Sequence, residues 1–588
     1  MDETSSSRFR MIFLPNWLKD YKKNQLNGDI TAGIIVAVVL VPQAMAYGML
    51  AGLPVEVALY SSTLPLILYA AFGSSRTLAV GPVGLMSLMT GATLIELNIN
   101  NVNQMVSAAH TLAFLIGILL LSMRVAKLGA VINFLSHPVI SGFVSASAII
   151  IALSQAKHLL GLEIPRGLPS YQTLYHLTIK LPDANLATTA LGVGSLMLLW
   201  CFKNPLSSLL NKKRVSDYIA QFISKSGPLV VVIFSTLCVY CLNLNSQHNV
   251  SMIGSIPSGL PTLLIPNVDS ELIKTLLPNA ILIALIGYLE SVSIAKSMAS
   301  QKRQKIDSNK ELTGLGAANL ASAFSGGYPV AGGFGRSMVN FSAGANSPLA
   351  SIFSACLVAL TLATLTPLFF FLPKAALAAI IVLAVLPLID FHTFKHAWSY
   401  DRTDAFSMLI TFFTVLIVDV ESGILAGIIL SIGLYLHRSS QPHIAVVGQV
   451  ENTEHYRNIH RHKVKTDKAI LALRVDENLY FANTNHLEDT IMELVADNPS
   501  INHVLLICSS ISFIDTSALE SLDDILYRLE KAGIQLHLAE IKGPVMDKLR
   551  KTAFIEKIGE TNIFLSTHQA MESLKKLDNA PLKKDARL

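Results

Sequence analysis

The chain has 588 residues, of which 52% are hydrophobic and only 14% charged, and its mean hydropathy is +0.50. An average soluble domain carries about 25% charge, so an all-soluble globular protein is excluded. The net charge of +5 is too small for a nucleic-acid binder and suits lysines beside membrane spans.

Residues 1–29 are polar and basic, without the apolar core of a signal peptide. They are expected to form a cytoplasmic N-terminal arm. Leu14, Trp17 and Leu18 beside Lys19, Lys22 and Lys23 suit either an interfacial helix or a solvated arm. From residue 30 to 437, apolar runs recur at about span length, and the pattern predicts fourteen spans, seven plus seven. An even count puts both termini on one side. The basic clusters at 212–214 and 302–310 place that side in the cytoplasm. The five cysteines are scattered, and Cys238 and Cys241, inside an apolar run, are expected to be buried packing residues.

Two apolar runs are broken. Residues 79–91 read AVGPVGLMSLMTG, and residues 325–346 read SGGYPVAGGFGRSMVNFSAGAN. Neither leaves about twenty helical residues after its proline, Pro82 or Pro329. Broken backbone at membrane depth survives only against protein or a water-filled cavity. A short helix starting there aims free N–H groups and a positive dipole end at that cavity, which suits an anion. Arg336 adds a full charge one to two turns in; the alternative is that it snorkels to an interface. Gln43 and Glu290 are polar residues inside apolar runs, separated by as many residues as Pro82 and Pro329. Matching breaks in two halves mark an inverted-repeat transporter whose site lies between the half-helices.

Residues 442–580 have ordinary soluble composition. Strands are predicted at 469–475, 503–508 and 534–539. Between the last two, Leu519, Leu522, Leu526 and Leu529 mark an amphipathic helix, with Asp515, Thr516 or Ser517 as its cap. This is a small α/β domain without a Walker loop, dinucleotide fingerprint or metal-spaced cluster, so no cofactor is expected. Residues 581–588 form a basic tail.

Several stretches together resemble one family. DITAGIIVAVVLVPQAMAYGMLAGLP (29–54), AVGPVGLMSLM (79–89), GYLESVSIAKSMA (287–299), the run 306–340 and SFIDTSAL (512–519) identify a SulP sulfate permease, of the solute carrier family 26 type. The last stretch resembles the core of a STAS domain. The resemblance covers nearly the whole chain. It implies a seven-plus-seven inverted repeat, usually dimeric, carrying sulfate, bicarbonate, chloride or dicarboxylates and performing no enzymatic chemistry. It also implies an inner (plasma) membrane location.

Carried over residue by residue, the resemblance puts Gln43, Tyr47, Val83, Gly84, Gly333, Phe334, Gly335 and Arg336 at the anion site. Many members read T-G-S-F-S-R where this chain has Ala331, Gly333 and Gly335, so backbone N–H groups must do more of the binding here. Sulfate is the expected substrate, with bicarbonate or a C4-dicarboxylate as the alternative, and an uncoupled exchanger or channel as a further one. Glu290 has three readings: a proton site for anion symport, a sodium ligand, or a structural carboxylate bonded to backbone or to Arg336. Ser517 is either a phosphorylated regulatory serine, with an unknown cytoplasmic partner, or part of a helix cap.

Overall fold

A computed structural model describes residues 16–578 except 20, 98, 100, 130–135, 166, 204, 207–222 and 225. Leu14, the basic cluster at 212–214 and the tail at 581–588 lie outside the described residues. The chain divides into two compact units, Met1–Ile429 and Leu430–Leu588.

The first unit is helical. It opens with α1 (Leu26–Leu50), α2 (Val55–Tyr60) and α3 (Leu64–Phe72), then β1 (Val80–Gly81) and α4 (Gly84–Glu96). Next come α5 (Val102–Val125), α6 (His137–Leu160), α7 (Ser170–Lys180), α8 (Leu186–Lys203) and α9 (Gly227–Cys241). The long α10 (Ser270–Gln301) and α11 (Ser308–Phe324) precede β2 (Ala331–Gly332) and α12 (Phe334–Ser342). The series closes with α13 (Leu349–Leu360), α14 (Lys374–Val385), α15 (Phe391–Tyr400), α16 (Arg402–Ile417) and α17 (Val420–Ser439). Among the described residues, nine helical runs are long and apolar enough to cross a bilayer, and α9 is apolar but shorter. This is a multi-pass membrane protein.

Several expectations need correction. Helix α1 begins at Leu26, so the last residues of the 1–29 segment are helical. Asp29 is fully buried and accepts from Asn346 N (2.7 Å), Ser347 N (3.0 Å) and Ser347 Oγ (2.7 Å). Trp17 is tied to the bundle, its Nε1 donating to the Ala70 carbonyl at 2.7 Å. Residues 55–72 form one apolar run long enough to span, turning between Tyr60 and Leu64, where Ser61 Oγ donates to the Val57 carbonyl of its own helix (3.0 Å) and accepts from Tyr328 N (2.8 Å). Pro278 lies inside α10, whose N-terminus Asp269 caps. Such an N-cap satisfies one of the orphan donors and lets the helix begin earlier. The helix after Leu349 loses α-geometry at Thr361, passing through a π turn (Thr361–Leu365) and a 3-10 turn (Thr366–Phe369). Of the two cysteines expected to be buried, Cys238 is half-buried and Cys241 exposed; Cys201 and Cys356 are exposed as well, and Cys508 is buried.

The second unit is α/β. Its sheet runs in the order β4 (Tyr456–Asn458), β3 (Ile444–Val450), β6 (Ile470–Val475), β7 (His503–Ile507), β8 (Gln535–Ala539), β9 (Ile563–Phe564), with β5 (Val464–Lys465) also on β3. The strands from β6 to β9 pair in parallel, and β3 joins β6 antiparallel. All five β7 side chains are buried, as suits a central parallel strand covered on both faces. Helix α18 (Thr484–Asp497) precedes β7. Helix α19 (Thr516–Lys531) is capped by Asp515, whose side chain accepts from Ala518 N (2.8 Å), and buries Leu522, Leu526 and Leu529. Helices α20 (Gly543–Leu549), α21 (Phe554–Ile558) and α22 (Thr567–Asp578) complete the unit.

Candidate functional site

Two short strands place the broken segments side by side. β1 and β2 pair antiparallel, Val80 opposite Gly332 and Gly81 opposite Ala331. Gly333 N extends the pairing by donating to the Ala79 carbonyl at 3.1 Å. Two residues per strand cannot hold such a pairing alone, and helix side chains complete it. Gly332 N donates to Ser291 Oγ on α10 (2.8 Å), and Ala79 N to Ser337 Oγ on α12 (2.9 Å). Asn319 on α11 takes both backbone groups of Val330, each at 3.0 Å. Tyr328 N donates to Ser61 Oγ (2.8 Å), and the Tyr328 hydroxyl meets Ser87 Oγ on α4 at 2.6 Å. Each unsatisfied backbone group here would cost about 1–3 kcal/mol, and these polar side chains prevent that.

The chain turns from this strand pair into α4 and α12. Their N-caps, Val83 and Gly333, are extended, and neither helix has a side-chain cap. First-turn N–H groups therefore lack intrahelical partners. The second helix starts at Phe334 rather than just after Pro329, because residues 331–332 are held in the strand pair.

A cavity of about 730 Å³ lies against both helix starts. Gln43 and Tyr47 of α1, Val83 and Gly84, Glu290 of α10, and Gly333, Phe334, Gly335 and Arg336 all line it. Pro82 supplies a backbone carbonyl to Arg336. Pro329 does not line the cavity, and Ser517 is exposed in the first turn of α19 in the other unit.

Arg336 is 3% exposed and does not snorkel. Its Nη1 donates to the Pro82 carbonyl, while Nε and Nη2 are buried without a hydrogen-bond partner. Glycines make room for it: a Cβ at Gly333 would stand 3.1 Å from Nη2 and one at Gly81 3.4 Å, and Gly81 also has φ +149. A buried guanidinium with two unused donors is costly unless an anion completes it.

Two buried carboxylates behave differently. Glu311 on α11, which sequence reasoning did not single out, accepts from Tyr69 Oη (2.7 Å), Ser74 N (2.8 Å), Ser74 Oγ (2.7 Å) and Ser75 N (3.0 Å). It is a structural tie between α11 and the turn after α3. Glu290 is half-buried in the cavity wall, and its Oε2 is shielded without a hydrogen-bond partner. Among the described residues, no group of three or more His, Cys, Asp or Glu side chains is placed to hold a metal ion.

Comparison with known proteins gives the following. Residues 26–411 match the model of the sulfate permease family, and residues 461–570 that of the STAS domain. "Sulfate transporter 4.1, chloroplastic" of Arabidopsis thaliana is 35% identical over 568 residues, covering 95% of this chain and 81% of its own. "High affinity sulfate transporter 2" of Stylosanthes hamata is 31% identical over 595 residues, covering 97% and 88%. The structure of the murine Solute Carrier 26 family member A9 anion transporter superposes with a TM-score of 0.88 at 23% identity, covering 97% of this chain and 95% of that one. The transmembrane domain of the cyanobacterium bicarbonate transporter BicA superposes with a TM-score of 0.59 at 24% identity, covering 70% and 99%. These two likenesses bear on the fold alone.

Proposed function

The chain belongs to the sulfate permease family, and we propose that it is a secondary active transporter of a small anion rather than an enzyme. The observation that carries this reading is the pair of uncapped helix N-termini around a buried Arg336 with two unused donors. The anion is bound by the N–H groups that open α4 and α12 and by Arg336, with Gln43 and Tyr47 on the facing helix. Sulfate is the proposed substrate, supported by the names of the plant relatives at 31–35% identity. The family motif's missing hydroxyls at Ala331, Gly333 and Gly335 keep bicarbonate and C4-dicarboxylates as the competing substrates.

Coupling is proposed at Glu290. A carboxylate beside an anion repels it, and protonation removes the repulsion. By linkage, the anion then favours the proton by the same factor. The shielded, unpartnered Oε2 supports a proton site over a structural tie. Sodium coupling is the alternative.

The proposed frame is a seven-plus-seven inverted repeat spanning residues 30–437, homodimeric, in the inner (plasma) membrane, with both termini cytoplasmic. The STAS domain, 442–580, contributes to dimer contacts or trafficking, Ser517 being its candidate regulatory residue. Uptake of labelled sulfate, bicarbonate and succinate into proteoliposomes tests the substrate. Saturable sulfate uptake, competed weakly by the other two, supports the reading, and absence of all three uptakes refutes it.

A further inference from the structure

A second cavity of about 280 Å³ lies at the other end of α4. Helices α1, α4 and α6 each bring their last turns to it, through Leu50, Glu96 and His158 among others. Helix C-termini carry partial negative charge. Glu421, in the first turn of α17, lines it too, as does Asp419, whose carboxylate is engaged by Ser422 N (2.7 Å) and Ser422 Oγ (2.9 Å); Glu96 Oε2 accepts from Asn279 Nδ2 (2.9 Å), which leaves its other oxygen for a ligand. The basic side chains are Lys157, whose Nζ turns to the Ile164 carbonyl at 3.1 Å, and His158.

The floor holds Gln155, which is 2% exposed. Its Nε2 donates to Ser154 Oγ at 3.0 Å, and that hydroxyl donates to the Ile151 carbonyl at 2.8 Å. Ser154 Oγ gives its one proton to the Ile151 carbonyl and accepts from Gln155 Nε2. Gln155 Oε1 is left buried, without a hydrogen-bond partner. An orphaned acceptor of this kind is costly unless a donor or a cation completes it.

The two cavities are thus electrostatic opposites at the two ends of one short helix. Ile151 lines the first, and Gln155, one turn further along α6, lines the second. We propose that the second cavity binds a hydrated monovalent cation through Gln155 Oε1 and the carboxylates of Glu96 and Glu421. The all-oxygen set suits a hard cation. Few carboxylates around a neutral amide oxygen favour a single charge over a divalent ion. The volume leaves room for the ion's water. The site is separate from Glu290 and does not depend on which anion the first cavity takes.

The test uses the purified full-length protein. Binding of radiolabelled sodium and thermal unfolding in sodium, potassium or choline chloride at equal ionic strength are measured for wild type and variants. Wild type should bind labelled sodium saturably and unfold at a higher temperature in sodium or potassium than in choline. Gln155→Leu should weaken binding by about tenfold or more, and Glu421→Gln should weaken it as well. Gln155→Glu, nearly the same shape with an added charge, should tighten it. Glu290→Gln should leave this binding unchanged. Unfolding in choline shows whether each variant is folded, and Gln155→Glu keeps the test decisive if Gln155→Leu is not. Absence of saturable sodium binding and of any sodium or potassium stabilisation in wild type would overturn the proposal. So would binding lost in Glu290→Gln but kept in Gln155→Leu, or weakened by Gln155→Glu.

Discussion

Arg336 donates from Nη1 to the carbonyl of Pro82, 254 residues earlier in the chain. One side chain thereby ties the start of α12 to the turn that opens α4, and its other two nitrogens stay free for the cavity. Arg336→Lys keeps the charge but cannot serve the Pro82 carbonyl and the cavity at once, because an ammonium lacks the planar fork. The variant should lose about 1.5–3 kcal/mol of stability, and its apparent KM for the anion should rise at least about tenfold. Thermal unfolding and proteoliposome uptake read the two effects separately. Unchanged KM would remove Arg336 from the site.

The two glycines beside it should respond in opposite ways. A Cβ at Gly333 would stand 3.0 Å from Val83 Cγ1 and 3.1 Å from Arg336 Nη2, whereas at Gly335 it would meet nothing within 4 Å. Gly333→Ala should therefore displace the guanidinium and abolish most uptake. Gly335→Ser should fold normally and add a hydroxyl donor to the first turn of α12, lowering the KM for sulfate relative to succinate. Kinetics of both variants on both anions check this, and equal behaviour of the two would refute the packing argument.

Glu311 and Glu290 separate structure from function. Glu311→Gln deprives four close hydrogen bonds of their charged acceptor and should cost about 3 kcal/mol, read as a lower unfolding temperature and poorer yield. Glu290→Gln should leave both nearly unchanged. A stability loss for Glu290→Gln as large as for Glu311→Gln would make Glu290 a structural residue.

The contrast also marks what could be read from residues alone. Pro82, Pro329 and the glycines around them announce broken helices, because no regular helix tolerates them. Arg336 and Glu290 stand out as charges in apolar runs. The β1–β2 pairing was not legible: two residues per strand leave no periodicity. Its support comes from Ser61, Ser291, Asn319 and Ser337, which in sequence are ordinary small polar residues. Asp29 and Glu311 gave no sign of being buried ties, since their donors lie 236–318 residues away. In the second unit the hydrophobic strands β6, β7 and β8 were clear. The strands β4, β5 and β9, only two or three residues long, were not.

The second unit carries a pH dependence of its own. His503 Nδ1 and His537 Nε2 lie 3.0 Å apart between β7 and β8. Burial first, and the neighbouring His503 second, push the His537 pKa down from 6.5 to about 4. The unfolded chain then binds a proton that the folded chain refuses. Stability is full above pH 6.5 and is lost as pH falls toward 4, by about 3 kcal/mol at most. Hydrogen exchange of β7 and β8 in the full-length protein should accelerate over that window. His537→Phe should flatten the response, and an unchanged response would exclude His537 as its source.

In the proposed mechanism an anion is held between two helix starts, with Glu290 as the proton partner. The most direct measurement is accumulation of labelled sulfate by proteoliposomes with and without an inward proton gradient, for wild type and Glu290→Gln. Wild type should concentrate sulfate when the gradient is imposed. Glu290→Gln, fixed in the neutral form, should still exchange sulfate across the membrane but fail to concentrate it. Gradient-driven accumulation by Glu290→Gln equal to wild type, or a wild type that answers to sodium and ignores the proton gradient, would contradict the account.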